Sequence, residues 1–250
     1  MRTDEIPRDV ESLLDRLVGP DAALVADLAA AAMLERPVVI DSTSAAASVR
    51  PYSWLLGRIG EEGIRLTSAG YLPPAVVTEA ITSLGWEDKW IGAHNRENQT
   101  LPVLELRHSA RRLGLVRIYR RILLRTSLGT RLRGDPGGLW WHIASRLPEA
   151  RNDAEHDAGV LLLLAVAAAA PVSNQATGDL LRRGMGALGW RDAETLGPLD
   201  EWQAFGAARE TWDYLQRLSA IANPHFGQPP VRPGSAGVAL ARAALRGLAS

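Results

Sequence analysis

The chain contains no cysteine among its 250 residues. This absence excludes disulfide bonds, every zinc site that uses cysteine, iron–sulfur ligation and thiol catalysis. Lysine is nearly absent too, because Lys89 is the single lysine and the other basic residues are arginines. Genomic base composition explains this bias more simply than selection for the bidentate recognition of phosphate or carboxylate groups.

The chain also lacks a long apolar segment. The longest apolar run extends from Ala158 to Pro171, which is too short to span a bilayer and is more typical of a buried helix. The N-terminus, MRTDEIPRDVESLL, is acidic and has no apolar core of the kind found in signal peptides. The sequence therefore predicts a soluble cytoplasmic protein without a membrane partner.

Common catalytic motifs are missing as well. The sequence has no Walker-type GxxxxGK, no GxGxxG after a strand and no GxSxG. Asp153, Glu155, His156 and Asp157 form an acidic cluster with one histidine, but such a cluster is more typical of a charged first helical turn than of a metal site. We therefore predict a non-enzymatic protein with no catalytic residue, cofactor or metal.

Basic and acidic residues are equal in number, 28 of each, but they are unevenly distributed along the chain. Residues 107–133 carry nine arginines and no acid, where an even distribution would place about three residues of each sign. Residues 1–106 carry a net charge of −7 and residues 134–250 a net charge of −2. Two interpretations stay open, because the band could attract a polyanion or could pair with acids of its own fold.

Seven arginines of this band are the candidate nucleic-acid-binding residues. Thr100 is predicted to cap a helix with an apolar stripe at Val103, Leu106, Ala110 and Leu113, and Gly114 is predicted to end it. Residues 115–126 then read as two short strands with a tight turn near Tyr119 and Arg120, although an Asn-Gly turn is missing. This order is that of a recognition helix and wing, and it exposes Arg107, Arg111, Arg112, Arg117, Arg120, Arg121 and Arg125 as possible phosphate ligands.

The complete chain is predicted to be mainly α-helical with short β-hairpins, built from winged-helix-like units and a helical C-terminal region. Residues 1–48 form an N-terminal helical segment that ends in a linker at 42–48, and residues 49–135 form the winged-helix-like part. Residues 136–250 are mostly helical. Three segments at 64–72, 123–132 and 230–240 share an apolar strand, a small polar turn, a glycine and a helix start, so a third wing-like unit is included in the last region.

Residues 51–170 resemble the C-terminal module of a family of plasmid- and mobile-element-associated proteins, labelled Ri-plasmid third-open-reading-frame-like proteins. The resemblance is carried mainly by IRLTSAGYLPPAVV and by WIGAHNRENQTLPVLELRHSARRLGLVR. Members commonly have an additional N-terminal domain that resembles the passenger protein of an insertion element, and residues 1–50 do not match it. The family implies no activity that could be assigned to this chain.

Two functions are compatible with these observations. The first is a DNA- or nucleic-acid-binding protein that contacts its partner through the Arg-rich, winged-helix-like surface. The alternative is a protein-interaction or scaffolding module in which the arginines pair internally. The sequence leaves the oligomeric state open.

Overall fold

The computed structural model describes residues 7–87, 95–222 and 229–247. It divides the chain into two compact units, which we name the winged unit (residues 45–140) and the helical unit (residues 1–44 with 141–250). The described residues form twelve α-helices and one three-stranded antiparallel sheet. The prediction of a mainly α-helical protein with short hairpins is therefore confirmed.

The winged unit follows the order helix, strand, helix, helix, hairpin. Its sheet has the strand order β1-β3-β2, so the first strand pairs with the last one. This order matches the winged-helix-like unit that the sequence predicts, with α4 and α5 as the helix pair and the β2–β3 hairpin as the wing. The elements are α3 (Ser42–Arg58), β1 (Ile64–Arg65), α4 (Pro74–Leu84), α5 (Leu101–Arg112), β2 (Val116–Tyr119), β3 (Ile122–Arg125), α6 (Ser127–Leu132) and α7 (Pro136–Ala144).

The sheet explains the internal similarity of the sequence. β1 lies in the first similar segment and β3 in the second, and the two strands pair with each other through Ile64 and Leu123. In the third segment, Val231 forms only an isolated bridge with Val172 before the last helix begins. The first two segments are thus two strands of one sheet and not two modules.

The prediction of a linker at residues 42–48 is wrong in secondary structure, because these residues form the first half of α3, although the division between the two units does fall there, between Ser44 and Ala45. The Asp41 carboxylate accepts a hydrogen bond from the Ser44 amide at 2.8 Å, which satisfies one of the free donors at the helix start. Three consecutive alanines follow, and alanine has the highest helix propensity. A run of small residues can therefore continue a helix as readily as it can separate two domains.

The helical unit is organised around one buried helix. Every residue of α8 from Asp157 to Ala167 is buried, and α8 contacts five neighbouring helices. The prediction of a buried helix in this apolar run is confirmed. The helices of this unit are α1 (Arg8–Asp15), α2 (Ala22–Ala31), α8 (Asp153–Ala167), α9 (Asn174–Ala187), α10 (Glu201–Ala207), α11 (Arg209–Arg217) and α12 (Ser235–Gly247).

Two sequence expectations extend beyond the described residues. The polar composition of residues 86–100 predicts a connecting segment, and residues 224–237 are predicted to be irregular, but residues 88–94 and 224–228 lie outside the described part. In the described part of the connection, Glu97–Gln99 form a short 3-10 helix. None of the described helices has the length and apolar character needed to cross a membrane.

Candidate nucleic-acid interface

Helix α5 is held in the winged unit by the predicted apolar stripe. Val103, Leu106, Ala110 and Leu113 are each at most 2% exposed, and Gly114 follows in the left-handed conformation with φ of 70°. The expected cap is wrong in detail, because the Thr100 hydroxyl donates to the Arg96 carbonyl at 2.9 Å and does not cap the helix. The backbone of α5 is nevertheless placed as the sequence predicts.

Arg107 does not lie on the surface, so its predicted exposure is wrong. Its side chain is 6% exposed and forms a two-point ion pair with Glu97, with Nε–Oε1 at 2.6 Å and Nη2–Oε2 at 3.1 Å. Glu97 Oε2 also accepts the Leu72 amide at 2.6 Å. Arginine is suited to such a buried fork geometry. Arg107 thus connects α5 to the segments on either side of α4.

Arg125 also points into the winged unit. It pairs with Val116 across the β2–β3 ladder, on the same face as the buried Leu123. Its Nη1 donates to the Leu56 carbonyl of α3 at 2.9 Å. Arg125 therefore closes the wing against α3, and the expectation that it stands on the outer face is not met.

The wing ends in a two-residue turn made of Arg120 and Arg121. Tyr119 and Ile122 are the last paired residues, and the two arginines have φ of 47° and 59°. These left-handed values are those of a type I′ turn, which normally uses Asn-Gly because residues with larger side chains are strained there. The predicted hairpin is confirmed, and its tip is two exposed arginines in a costly conformation.

The outer face of the wing carries an aromatic ring between two arginines. Tyr119 is 51% exposed, and the guanidinium carbons of Arg117 and Arg120 lie 5.8 and 5.1 Å from its ring centre. These distances are typical of cation–π contacts, which restrain both arginine side chains. Arg117 and Tyr119 alternate along β2, so they project from the same face of the sheet.

Arg65 belongs to this face, although it lies outside the basic band of the sequence. It pairs with Ile122, which in turn pairs with Tyr119, so the three residues form one row across the sheet. Arg65 is exposed. Only the β1–β3 pairing reveals this neighbour, because more than fifty residues separate it from the wing.

The C-terminal end of α5 contributes the remaining cations. Arg111 and Arg112 are exposed and line, together with His108, a shallow depression of about 370 Å³. Partial burial lowers the pKa of His108 below its ordinary value of 6.5, and the positive charge of Arg107 lowers it further. An empty site here favours neutral His108, whereas an anion bound beside it would favour the charged form.

The exposed arginines of α5 and of the wing differ from Arg107 in their surroundings. Among the described residues, no aspartate or glutamate forms an ion pair with Arg111, Arg117, Arg120 or Arg121. The structure places five of the seven candidate arginines outside and adds Arg65 to them. We refer to these six as the basic face: Arg65, Arg111, Arg112, Arg117, Arg120 and Arg121.

The N-terminal half of α5 has a different character. Leu101 is 45% exposed, and Leu104 and Glu105 are half-buried. In helix-turn-helix proteins, the N-terminal residues of the recognition helix contact base edges. Leucine and glutamate at these places offer no donor fork for guanine or adenine, so the exposed arginine donors of α5 lie at its C-terminal end instead.

The acidic cluster at the start of α8 is part of the helix and its packing. The Asn152 side chain caps the helix by accepting the Glu155 amide at 2.9 Å. Asp157 is buried and accepts hydrogen bonds from Arg16 and from Trp190 Nε1, the latter at 2.8 Å. In the described parts of the chain, no group of three histidine, aspartate or glutamate residues could hold a metal ion.

Adjacent tryptophans in α7 point in different directions, as helical geometry requires. Trp140 is fully buried and Trp141 is 46% exposed. One of the two tryptophans therefore belongs to the core, and the other is partly exposed.

Charge differs in sign between the two units. The winged unit contains fourteen basic and eight acidic residues, for a net charge of +6, and the helical unit contains fourteen basic and twenty acidic residues, for a net charge of −6. Within the winged unit, six of the fourteen cations form the basic face. Comparison with known proteins identifies no matching family model, no matching curated protein and no matching solved structure.

Proposed function

We propose that the protein is a non-enzymatic nucleic-acid-binding protein whose basic face holds the phosphate backbone of duplex DNA. The observation that carries this proposal is the pair of exposed arginines in the left-handed turn at the wing tip. Two large charged residues occupy a turn that Asn-Gly would form with less strain, and backbone strain of this kind concentrates at functional sites.

The composition of the basic face specifies the kind of binding. Exposed arginines such as Arg117, Arg120 and Arg121 can each neutralise a phosphate, whereas the N-terminal end of α5 presents no donor fork for guanine or adenine. Phosphate contacts position a protein on the duplex and carry no direct sequence information. We therefore propose binding that is strongly salt-dependent and weakly dependent on DNA sequence.

A salt titration with a generic fluorescent duplex tests this function. With about five to six phosphate contacts, the logarithm of the binding constant should fall with a slope of roughly −5 against the logarithm of salt concentration. Arg111→Ala/Arg120→Ala/Arg121→Ala should weaken binding and make that slope shallower by about 2–3. A folded wild-type protein that does not bind the duplex at low salt would remove the proposal.

The matched control removes three exposed arginines from the helical unit. Arg8→Ala/Arg36→Ala/Arg146→Ala changes the net charge by the same amount as the wing variant does. Its affinity should fall less than that of the wing variant, and its salt slope should match the wild type. Equal losses in the two variants would attribute binding to net charge and not to the basic face.

A protein-binding role is the second candidate, and one observation favours it. Leu101 is an exposed apolar residue at the start of α5, where a base-reading side chain would be expected. Leu101→Ser should leave duplex binding unchanged under either function. A Leu101→Ser variant that loses a partner in a two-component binding assay, while retaining duplex affinity, would support this second role for α5.

A further inference from the structure

A hydrogen-bonded loop in the helical unit and the helix that follows it display two large apolar side chains to solvent. Trp202, in the first turn of α10, is 85% exposed, and Leu196, in the preceding loop, is 78% exposed. Large exposed apolar residues grouped in a structured segment are typical of interaction surfaces, and tryptophan is enriched among the residues that dominate binding energy.

Asp192 ties the loop to α10. Its carboxylate accepts hydrogen bonds from the Thr195 amide at 2.7 Å, from the Thr195 hydroxyl at 2.8 Å and from the Gln203 side-chain amide. The Gln203 carbonyl oxygen in turn accepts the Asp200 amide, which completes a capping box. Leu196 and Trp202 are thus presented on a preorganised segment, which lowers the entropy cost of binding.

Leu196 is displayed in a strained conformation. Its φ of 56° lies in the left-handed region that glycine or asparagine would occupy more easily. Packing does not require leucine at this place, because the side chain is almost fully exposed. The fold of the chain therefore does not explain the leucine, and contact with another molecule would explain it.

The charge of this segment indicates which kind of surface would bind it. Residues 192–206 contain Asp192, Glu194, Asp200 and Glu201 and no basic residue. The complementary surface in the same protein is the basic face, where Arg117 and Arg120 lie against the half-exposed ring of Tyr119 and Arg65 lies in the same row across the sheet. The helical unit at −6 and the winged unit at +6 make two copies of the chain complementary to each other in a head-to-tail sense.

We propose that the 192–202 loop of one copy docks, through Leu196 and Trp202, on the basic face of a second copy. The contact is heterologous, since a different surface is used on each copy, and such contacts form rings or open chains. The assignment of the basic face as a shared site rests on the proposed function. Duplex DNA and the second copy then compete for the same arginines, so DNA dissociates the assembly.

Sedimentation velocity on the full chain at low salt tests the contact. The wild type should associate with increasing protein concentration and should dissociate at about 1 M salt, where charges are screened within roughly 3 Å. Trp202→Ala should weaken association at least tenfold, whereas Val39→Ala, which truncates another exposed apolar residue of the helical unit, should not. A wild type that stays monomeric at every concentration overturns the proposal, as does a Trp202→Ala variant that associates like the wild type.

Two further samples test whether association depends on this specific contact and not on a loss of stability or on net charge. Leu196→Gly relieves the strained backbone, so it should raise the melting temperature while it weakens association. Trp202→Ala mixed with Arg120→Ala/Arg121→Ala should form a dimer although each variant alone is monomeric, because each supplies the surface that the other lacks. Failure of this complementation overturns a head-to-tail contact.

The same variants distinguish the contact from the proposed function. Trp202→Ala retains the basic face, so it should bind duplex DNA at least as tightly as the wild type. Loss of association in Trp202→Ala without any duplex binding by the monomer would uphold the contact and remove the DNA-binding function. A wild type that binds the duplex but never associates would uphold the DNA-binding function and overturn the contact between copies.

Discussion

At the scale of single residues, the ion pair of Arg107 and Glu97 shows what burial does to a charge. Glu97 is 1% exposed and is bound to both Arg107 and the Leu72 amide. Removing water from both partners is costly, and only the complete set of hydrogen bonds offsets that cost. The pair consequently acts as a structural connection in the winged unit rather than as part of its surface.

Truncation of Arg107 should therefore destabilise the fold severely. Arg107→Ala leaves the Glu97 carboxylate buried without a cation, and we expect a loss of about 3–5 kcal/mol in the free energy of unfolding. Arg107→Met/Glu97→Gln keeps an acceptor for the Leu72 amide without a buried charge, so it should lose less than Arg107→Ala alone. Urea unfolding measures the free energy of unfolding of both variants. A loss below about 1 kcal/mol for Arg107→Ala, as expected of exposed pairs, would contradict the buried pair.

His108 reports on the electrostatics of the basic face. Burial and the charge of Arg107 lower its pKa in the folded protein, so the unfolded chain binds this proton more readily. Its contribution to stability is therefore complete above the unfolded pKa of about 6.5 and is lost as the pH falls through the folded pKa. Proton NMR of the imidazole ring should show titration below 6.5, and addition of duplex should raise that pKa. A free-state pKa at or above 6.5 would contradict the described environment.

At the scale of elements, the turn of the wing is subject to two opposing requirements, one from its backbone geometry and one from the proposed contact with phosphates. A two-residue hairpin turn favours Asn-Gly, whereas contact with phosphates favours arginine. The chain has arginine at both positions and supports the turn through the ladder to β1 and the Arg125 contact with α3. The stability lost in the turn is offset by the sheet to which it belongs.

Replacement of the turn should separate stability from binding. We expect Arg120→Asn/Arg121→Gly to stabilise the protein by about 1–2 kcal/mol, because the left-handed conformation strains both arginines. The same variant should bind the duplex more weakly. Thermal unfolding and fluorescence anisotropy measure the two effects on one sample. A variant that is less stable than the wild type would show that the arginine side chains hold the turn.

At the scale of the whole molecule, the two units differ in both charge and architecture. The winged unit carries the sheet and the excess of cations, whereas the helical unit is built on α8 and carries the excess of acids. A net charge of zero for the complete chain is therefore the sum of two units of opposite net charge. Electrostatic attraction of a polyanion depends on the local surface and not on the total.

The central helix should be the point at which the helical unit is most sensitive to truncation. Leu162 is fully buried in α8, so Leu162→Ala removes buried apolar volume that the surrounding helices cannot refill, and we expect a loss of about 2–5 kcal/mol. Val39→Ala, at an 82% exposed position, should change stability by less than about 0.5 kcal/mol. Urea unfolding compares the two, and similar losses would place Leu162 outside the core.

Local patterns in the sequence predicted the elements of the fold well. The stripe on α5, the apolar run of α8 and the alternation in the hairpin are repeats whose period follows from backbone geometry, so they can be identified without tertiary information. The alanine-rich residues 42–48 were predicted incorrectly because small residues are compatible with both a linker and a helix. The resemblance to a mobile-element-associated family stays a prediction.

The sequence by itself determined that arginines concentrate at residues 107–133, that a helix and a hairpin carry them, and that cysteine chemistry is absent. Only the tertiary structure decided which arginines are available. Burial against Glu97 removes Arg107, the inner face of the sheet removes Arg125, and strand pairing adds Arg65 from a distant part of the chain. Exposure and pairing depend on contacts between residues far apart in sequence, and a local pattern does not contain those contacts.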